Sequence, residues 1–169
     1  MPPSSLLVET LAGAVRGVGL ALRADRCWLY ARDPRARAGI ALVRWLRSPA
    51  VADVPEDLCR WSAEPEELAA VDPLFRRALD GGPMDAIDDA TSAPVNLAME
   101  EALGHRAFVH LNLHAGGALW GVLQPGMTGA PRAWTEAERV ALLELRPALA
   151  PLVEAAVRAG VHAGLRRVG

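Results

Sequence analysis

Apolar residues recur at Leu7, Leu11, Ala14, Val15, Val18 and Leu22, the spacing of one stripe on a helix, and predict a helix over residues 5–23 capped by Ser4 and Ser5. Gly13, Gly17 and Gly19 weaken its intrinsic propensity, so burial must hold it. Two strand-like segments follow, at 26–31 and 40–47, joined by a polar link over 32–39 that suits a hairpin loop. The pattern then changes. Prolines at 49, 55, 65, 73, 83 and 94 and many acids leave room only for short elements between 49 and 101. Short helices are predicted at 65–70 and 73–80, the second ended by Gly81-Gly82-Pro83. A short strand at 84–88 and a helix at 95–103 closed by Gly104 complete this stretch.

A second hairpin is clearer. Residues 107–114 and 118–124 flank Ala115-Gly116-Gly117, and counting outward pairs Leu113 with Leu119, Leu111 with Gly121 and Val109 with Leu123. Strict alternation then gives one apolar face made of Ala107, Val109, Leu111, Leu113, Leu119, Gly121 and Leu123. The other face carries Phe108, His110, Asn112, His114, Trp120, Val122 and Gln124, whose polar groups need partners. Thr135-Glu136-Ala137-Glu138 is a capping box opening a last helix that is apolar around most of its girth. Pro147 and Pro151 lie inside it and predict a kink or break.

The order is helix, hairpin, long irregular crossover, hairpin, helix. It predicts an α+β domain: an antiparallel sheet of five or six strands, the two terminal helices on one face, and the crossover covering a pocket on the other. The whole chain, 1–169, reads as a single domain with a core at about 5–157 and a short Arg-containing tail over 158–169.

The 169 residues are 51% hydrophobic and 22% charged, which excludes a disordered chain. No stretch is read as a membrane span, and no basic region precedes an apolar run at the N-terminus, so a cytoplasmic protein is expected. The net charge of −2 hides an uneven spread: residues 51–101 carry 13 acids against 3 Arg, a segment that repels phosphates, so no nucleic-acid partner is expected. All 18 basic residues are Arg, which removes Schiff-base and P-loop lysine chemistry. Cys27 and Cys59, 32 positions apart, make neither a disulfide framework nor a metal site.

Candidate chemistry is sparse. There is no catalytic set, no Gly-rich phosphate loop and no metal spacing. His110 and His114 share a strand face but stand about 13 Å apart, too far for one metal ion. They are left as pocket-lining or surface residues. Trp120, with Trp45 from the second strand, is a candidate for lining the cavity beside Phe108, His110 and Asn112; core packing is the other reading of both. Asp88 and Asp89 are candidates for a cationic or NH-bearing ligand, or satisfied turn carboxylates.

Four stretches in order resemble a GAF domain, and more narrowly the bilin-binding GAF domain of phytochromes and cyanobacteriochromes: Asp25-Arg26-Cys27-Trp28-Leu29-Tyr30, Asp85-Ala86-Ile87-Asp88-Asp89, Leu119-Trp120-Gly121-Val122-Leu123 and Pro131-Arg132-Ala133-Trp134-Thr135. The resemblance implies a GAF/PAS-like fold, a ligand pocket and a role in signal transduction. In that subclass a Pro-Cys-His triplet anchors the bilin. The matching positions here are Pro94-Val95-Asn96, so Val95 replaces the thiol and Asn96 the histidine. Valine has no nucleophile, and no covalent bilin is expected. Val95, Asn96 and Asp88 therefore join Trp45, Phe108, His110, Asn112 and Trp120 as the candidate pocket.

The expected function is a non-enzymatic sensory or regulatory domain that binds an unidentified small molecule or has lost its chromophore. The alternatives are a ligand-free dimerisation or interaction scaffold and, less favoured, a GAF-like methionine sulfoxide reductase, which needs several clustered cysteines. A homodimer through the terminal helices is expected, with a separate signalling output protein as a further partner.

Overall fold

In a computed structural model the structure describes residues 3–164. The chain runs α1 (Pro3–Ala21), β1 (Arg26–Asp33), β2 (Ala38–Leu46), a 3-10 turn (Glu56–Cys59), β3 (Ser62–Ala63), α2 (Leu68–Val71), α3 (Pro73–Leu79), β4 (Met84–Ile87), α4 (Leu97–Ala102), β5 (Ala107–Ala115), β6 (Ala118–Met127), α5 (Glu136–Arg158) and α6 (Val161–Gly164). The strands form one antiparallel sheet in the order β3-β2-β1-β6-β5-β4. Helices α1 and α5 lie across one face, and the segment between β2 and β5 wraps the other. This is the α+β layout the sequence predicts. The tail arginines, Arg166 and Arg167, lie outside the described residues.

Helix α1 spans Ser4 and Ser5 rather than starting after them. It is also long and apolar enough, by length and composition alone, to cross a membrane, a property the sequence reading missed. Here its Leu11, Val15 and Val18, with Leu22 just past its end, are buried against the sheet. The capping box on α5 forms in full: the Thr135 hydroxyl accepts from the Glu138 amide and the Glu138 carboxylate accepts from the Thr135 amide. The expected break at Pro147 and Pro151 does not occur, because α5 continues through both as one helix. Leu142, Leu149, Ala150, Val153, Ala156 and Val157 are buried along it. Each buried Leu or Val contributes about 1.5–3 kcal/mol, which together outweighs about 3 kcal/mol per interior proline.

Two β-bulges decide which side chains face the crossover. In β5–β6 the pairing runs Leu111 with Leu123 and Leu113 with Gly121, then steps to His114 with Leu119. Trp120 is the extra residue. The expected register was two residues off, which preserves faces, but the bulge does not preserve them. Leu119, expected under the helices, turns to the crossover side beside Phe75 and Ala78. Trp120 turns to the helix side, where the Arg158 guanidinium lies 4.8 Å from its ring centre. A similar step in β1–β2, Leu29 with Val43 and then Tyr30 with Ala41, makes Leu42 the extra residue, and Leu42 and Val43 both join the helix-side core. Between the bulges, Gly121 lets β6 close on β1: a Cβ there would meet the Tyr30 carbonyl oxygen at 2.7 Å.

Candidate functional site

The crossover face is built from alternate residues of the central strands: Trp28 and Tyr30 of β1, Phe108, His110 and Asn112 of β5, and Leu119 and Val122 of β6. The short elements that cover it are fixed by their own caps. The Asp72 carboxylate accepts from the amides of Leu74 and Phe75, and Pro73 occupies the first helical position of α3, as the Asp-Pro start requires. The Asn96 side chain accepts from the Met99 amide and donates to the Val71 carbonyl, so it starts α4 and ties it to α2. Gly104, at φ +73°, ends α4 and delivers His105 toward the sheet.

Three small apolar clusters result: Leu74, Ile87, Ala90 and Phe108; Phe75, Ala78, Leu119 and Val122; and Trp28, Ala41 and Val54. Buried polar groups run between them. The Trp28 indole N–H donates to His105 Nε2 at 3.3 Å, and His105 Nδ1 lies 2.8 Å from the Glu100 carboxylate. Because Nε2 accepts, Nδ1 carries the hydrogen and donates to Glu100. The Phe108 ring stacks on His105 at 4.4 Å. On β5, His110 Nδ1 is 2.7 Å from Asn112 Oδ1, while Asn112 Nδ2 donates to the Gly82 carbonyl at 2.8 Å. The Asn112 orientation leaves Oδ1 as acceptor, so His110 Nδ1 also carries its hydrogen. Arg26, 1% exposed, donates to the carbonyls of Ala52 and Leu103, and its Nε has no hydrogen-bond partner. Arg32 forms a bidentate pair with Glu64 and donates to the Leu119 carbonyl, which fastens the start of the crossover to β6.

Burial governs the titration of these groups. It raises the Glu100 carboxyl to about 7, helped by the Asp72 carboxylate and opposed by His110. It lowers His105 to about 3, with the nearby Arg26 cation adding to the effect, and it lowers His110. Cys27 is buried on the helix side, and burial pushes its thiol well up, away from thiolate chemistry. Cys59 is half-buried near Trp28; its Sγ touches the Arg44 guanidinium and sits 3.7 Å from the Pro55 carbonyl. Among the described residues no three His, Cys, Asp or Glu side chains converge to hold a metal ion.

The structure brings Phe108, His110 and Asn112 together on this face, with Val95 half-buried against the Phe108 cluster. It takes the other candidates elsewhere. Trp120 is on the helix side, as described. Trp45 is there too, its ring filling the space over Gly19 of α1, where a Cβ would lie 2.2 Å from it. Asn96 is a cap. Asp88 is a structural carboxylate: it accepts from the Trp134 amide at 3.1 Å and lies 3.6 Å from Arg139. Asp89 pairs with Arg106 in two hydrogen bonds. His114 bridges the Ala78 carbonyl and Arg146 at the rim. The sequence reading missed Arg26, Trp28, Asp72, Glu100 and His105. Arg26 and Trp28 carried a signal, since alternation from Tyr30 puts both on the same face, and so did Asp72, which stands before the helix-starting Pro73.

The sequence model described as the GAF domain matches residues 6–155. None of the curated proteins matches the chain in sequence. Among solved structures, the red-light-absorbing state of a red/green cyanobacteriochrome is similar at 22% identity and TM-score 0.66, covering 96% of this chain and 99% of that one. The blue-light-absorbing GAF domain of PixJ from Thermosynechococcus elongatus is similar at 20% identity and TM-score 0.65, covering 98% and 94%. The GAF domain of an Acinetobacter phosphoenolpyruvate-protein phosphotransferase gives 16% identity and TM-score 0.63, covering 96% and 87%. At these identities the likeness is one of fold.

Proposed function

This chain belongs to the GAF domain family, and on that premise we propose a regulatory domain of signal transduction that works without a covalently attached bilin and keeps its crossover face closed with its own side chains. The observation that carries this reading is the packing of that face. Phe108, Leu74, Trp28 and Phe75 are buried in it, and His105, His110 and Asn112 each have a partner within the chain. Val95, at the position where the resemblance calls for the anchoring thiol, is an aliphatic contact of the same packing. Any small-molecule ligand must displace these groups and replace their hydrogen bonds. An enzymatic reading has little support, because Cys27 is sealed in the helix-side core and only Cys59 is within reach of solvent.

The test is co-expression with a bilin-producing pathway followed by a denaturing gel stained for zinc fluorescence. No fluorescent band is expected. A band that survives denaturation and disappears in Cys59→Ala would show that Cys59 anchors a chromophore and would overturn the proposal.

Signalling by such a domain passes through a partner, and a second copy is the partner the helices fit best. α1 and α5 leave Leu6, Leu20, Val140 and Leu145 exposed, apolar area that pairing two copies removes from water. Sedimentation equilibrium at micromolar concentration should give twice the 18.0 kDa chain mass; a concentration-independent monomer rejects the dimer.

A further inference from the structure

His105 has two ring nitrogens and both are committed. Nδ1–H donates to Glu100 on α4, and the Nε2 lone pair accepts the indole N–H of Trp28 on β1. The bond to Trp28 joins the α4 end of the crossover to β1, beside the bond from Arg26 of the same strand to the Leu103 carbonyl. A second proton on His105 can enter only at Nε2, where it would point at the Trp28 N–H. Two donors facing each other in a buried site cannot both be satisfied, so protonation and the closed contact exclude one another.

We propose that the α4 end of the crossover is an acid-releasable lid, held shut by the Trp28–His105–Glu100 chain beside the Arg26–Leu103 bond, and freed when the Glu100–His105 pair takes up a second proton from water at His105 Nε2. The inference goes beyond the regulatory reading above and does not depend on any ligand.

The groups around the chain favour this behaviour. Arg26, from β1, places a permanent cation near His105 and opposes a second positive charge there. Asp53, in the loop after β2, faces Arg26 and partly offsets it. Phe108 covers one face of the His105 ring and offers no acceptor. Glu100 is the one carboxylate bonded to the imidazole, and it faces the Asp72 carboxylate at the start of α3 and His110 on β5. Asp72 is held by two backbone amides, whereas Glu100 has only the His105 N–H among its described bonds. Burial therefore makes Glu100 ready to take a proton when the lid is shut. Burial also lowers His110, against the opposing pull of Asp72, Glu100 and Asp85 of β4, which it faces. A shut lid thus encloses a neutral Glu100–His105 pair, and an open lid lets each group titrate as it does in water.

The signs follow from linkage. His105 titrates at about 3 when shut and near its ordinary 6.5 when open, so its contribution to closure is complete above 6.5 and is lost as pH falls. Glu100 is raised when shut, so it contributes in the opposite sense, favouring closure below its ordinary value and losing that effect as pH rises toward 7. Between about 6.5 and 4.5 the shut and open pairs each hold about one proton and the two contributions nearly cancel, so net release of the lid by acid falls below the ordinary Glu100 value of 4.5. His105→Gln keeps an acceptor for Trp28 and a donor for Glu100 but cannot be protonated.

The experiment is amide hydrogen exchange, corrected for intrinsic rates, at Leu103, Gly104 and His105, whose amides close the end of α4 onto the carbonyls of Met99, Glu101 and Glu100. Between pH 6.5 and 4.5 the ratio of closing constants, wild type over His105→Gln, should fall about tenfold per pH unit. Glu100→Gln removes the opposing contribution and should open the α4 end between pH 6.5 and 4.5, where wild type stays shut. The β5 and β6 amides should keep their protection. The imidazole 15N resonances of the wild-type protein at pH 5 supply a readout that needs no variant. While the α4 amides remain protected, His105 should still be the neutral Nδ1–H form. A flat ratio, an imidazolium at His105 under a closed lid, or equal loss of protection in β5 and β6 would each overturn the lid.

Discussion

On the helix side of the sheet, Val109, Leu111, Leu113 and Leu123 meet Leu11, Val15, Leu142 and Val153 in one continuous apolar cluster. On the crossover side the same strands present Phe108, His110, Asn112 and Val122, and the apolar contacts break into three small clusters seamed by hydrogen bonds. The first face is held by packing, which is non-directional and additive in area. The second is held by groups that must meet at particular atoms and whose charge depends on pH. The helix face therefore supplies stability, and the crossover face supplies the elements of the fold that conditions can change.

The largest test of that contrast is truncation on the helix face. Leu111 is fully buried there, and Leu111→Ala should lower unfolding free energy by about 2–5 kcal/mol in denaturant melts. Trp120→Ala should cost about 3–5 kcal/mol for the same reason, since the bulge puts its ring beneath Arg158. A loss below about 1 kcal/mol at Trp120 would return it to the crossover side and void the bulge assignment.

A second test separates packing from charge. Burial raises Glu100 to about 7 from an ordinary carboxyl value of 4.5. Its neutral form therefore stabilises the fold below about 4.5, and that contribution is lost as pH rises through about 7. Glu100→Gln removes the titration, so the stability of the variant relative to wild type should increase by up to about 3 kcal/mol between pH 4.5 and 7.5. Leu111→Ala should show no such trend. Melts at a series of pH values check both, and a pH-independent difference for Glu100→Gln would mean that Glu100 is not buried as the structure has it.

Between these regimes lies His110. Strand alternation alone places it away from the helices, which suggests a side chain of small consequence. Its bond to Asn112 changes that: His110→Ala leaves the buried Asn112 Oδ1 without its donor, a loss of about 1–3 kcal/mol. Equal losses for His110→Ala and Leu111→Ala would erase the difference between the faces.

How far these faces could be read from the chain depends on the range of the interactions that set them. The α1 stripe, the capping box at Thr135 and the Asp72-Pro73 helix start are local patterns, and each appears where the spacing puts it. The order of elements, and with it the α+β layout, follows from such patterns. The positions of Trp45 and Trp120 do not, because bulges between paired strands insert one unpartnered residue each and reverse everything beyond it. Nor do Glu100 and His105: five residues apart across the end of α4, they are joined only because Gly104 turns the chain at positive φ and Trp28, 77 residues earlier, supplies the second bond. Resemblance to bilin-binding domains directed attention to Val95 and Asn96, where this chain has packing and a cap. The polar chain on the same face carries no family motif other than Trp28.

The smallest effect bears on Asn96, which separates a ligand position from a structural one. Its side chain makes two bonds of different kinds: Oδ1 accepts from the Met99 amide at 3.2 Å within α4, and Nδ2 donates to the Val71 carbonyl at 3.0 Å across to α2. Asn96→Ala removes both and should cost about 1 kcal/mol, the ordinary value of an N-cap. Asn96→Asp keeps the cap acceptor, adds a negative charge favourable to the helix start, and loses only the donor to Val71. It should therefore recover more than half of the loss. Because the bond to Val71 links two pieces of the crossover, the part that Asn96→Asp does not recover should appear as faster amide exchange in both α2 and α4, with β5 and β6 unchanged. If both variants melt with the wild-type midpoint, the Asn96 bonds contribute nothing to the fold, and the position is again open to a role in ligand binding.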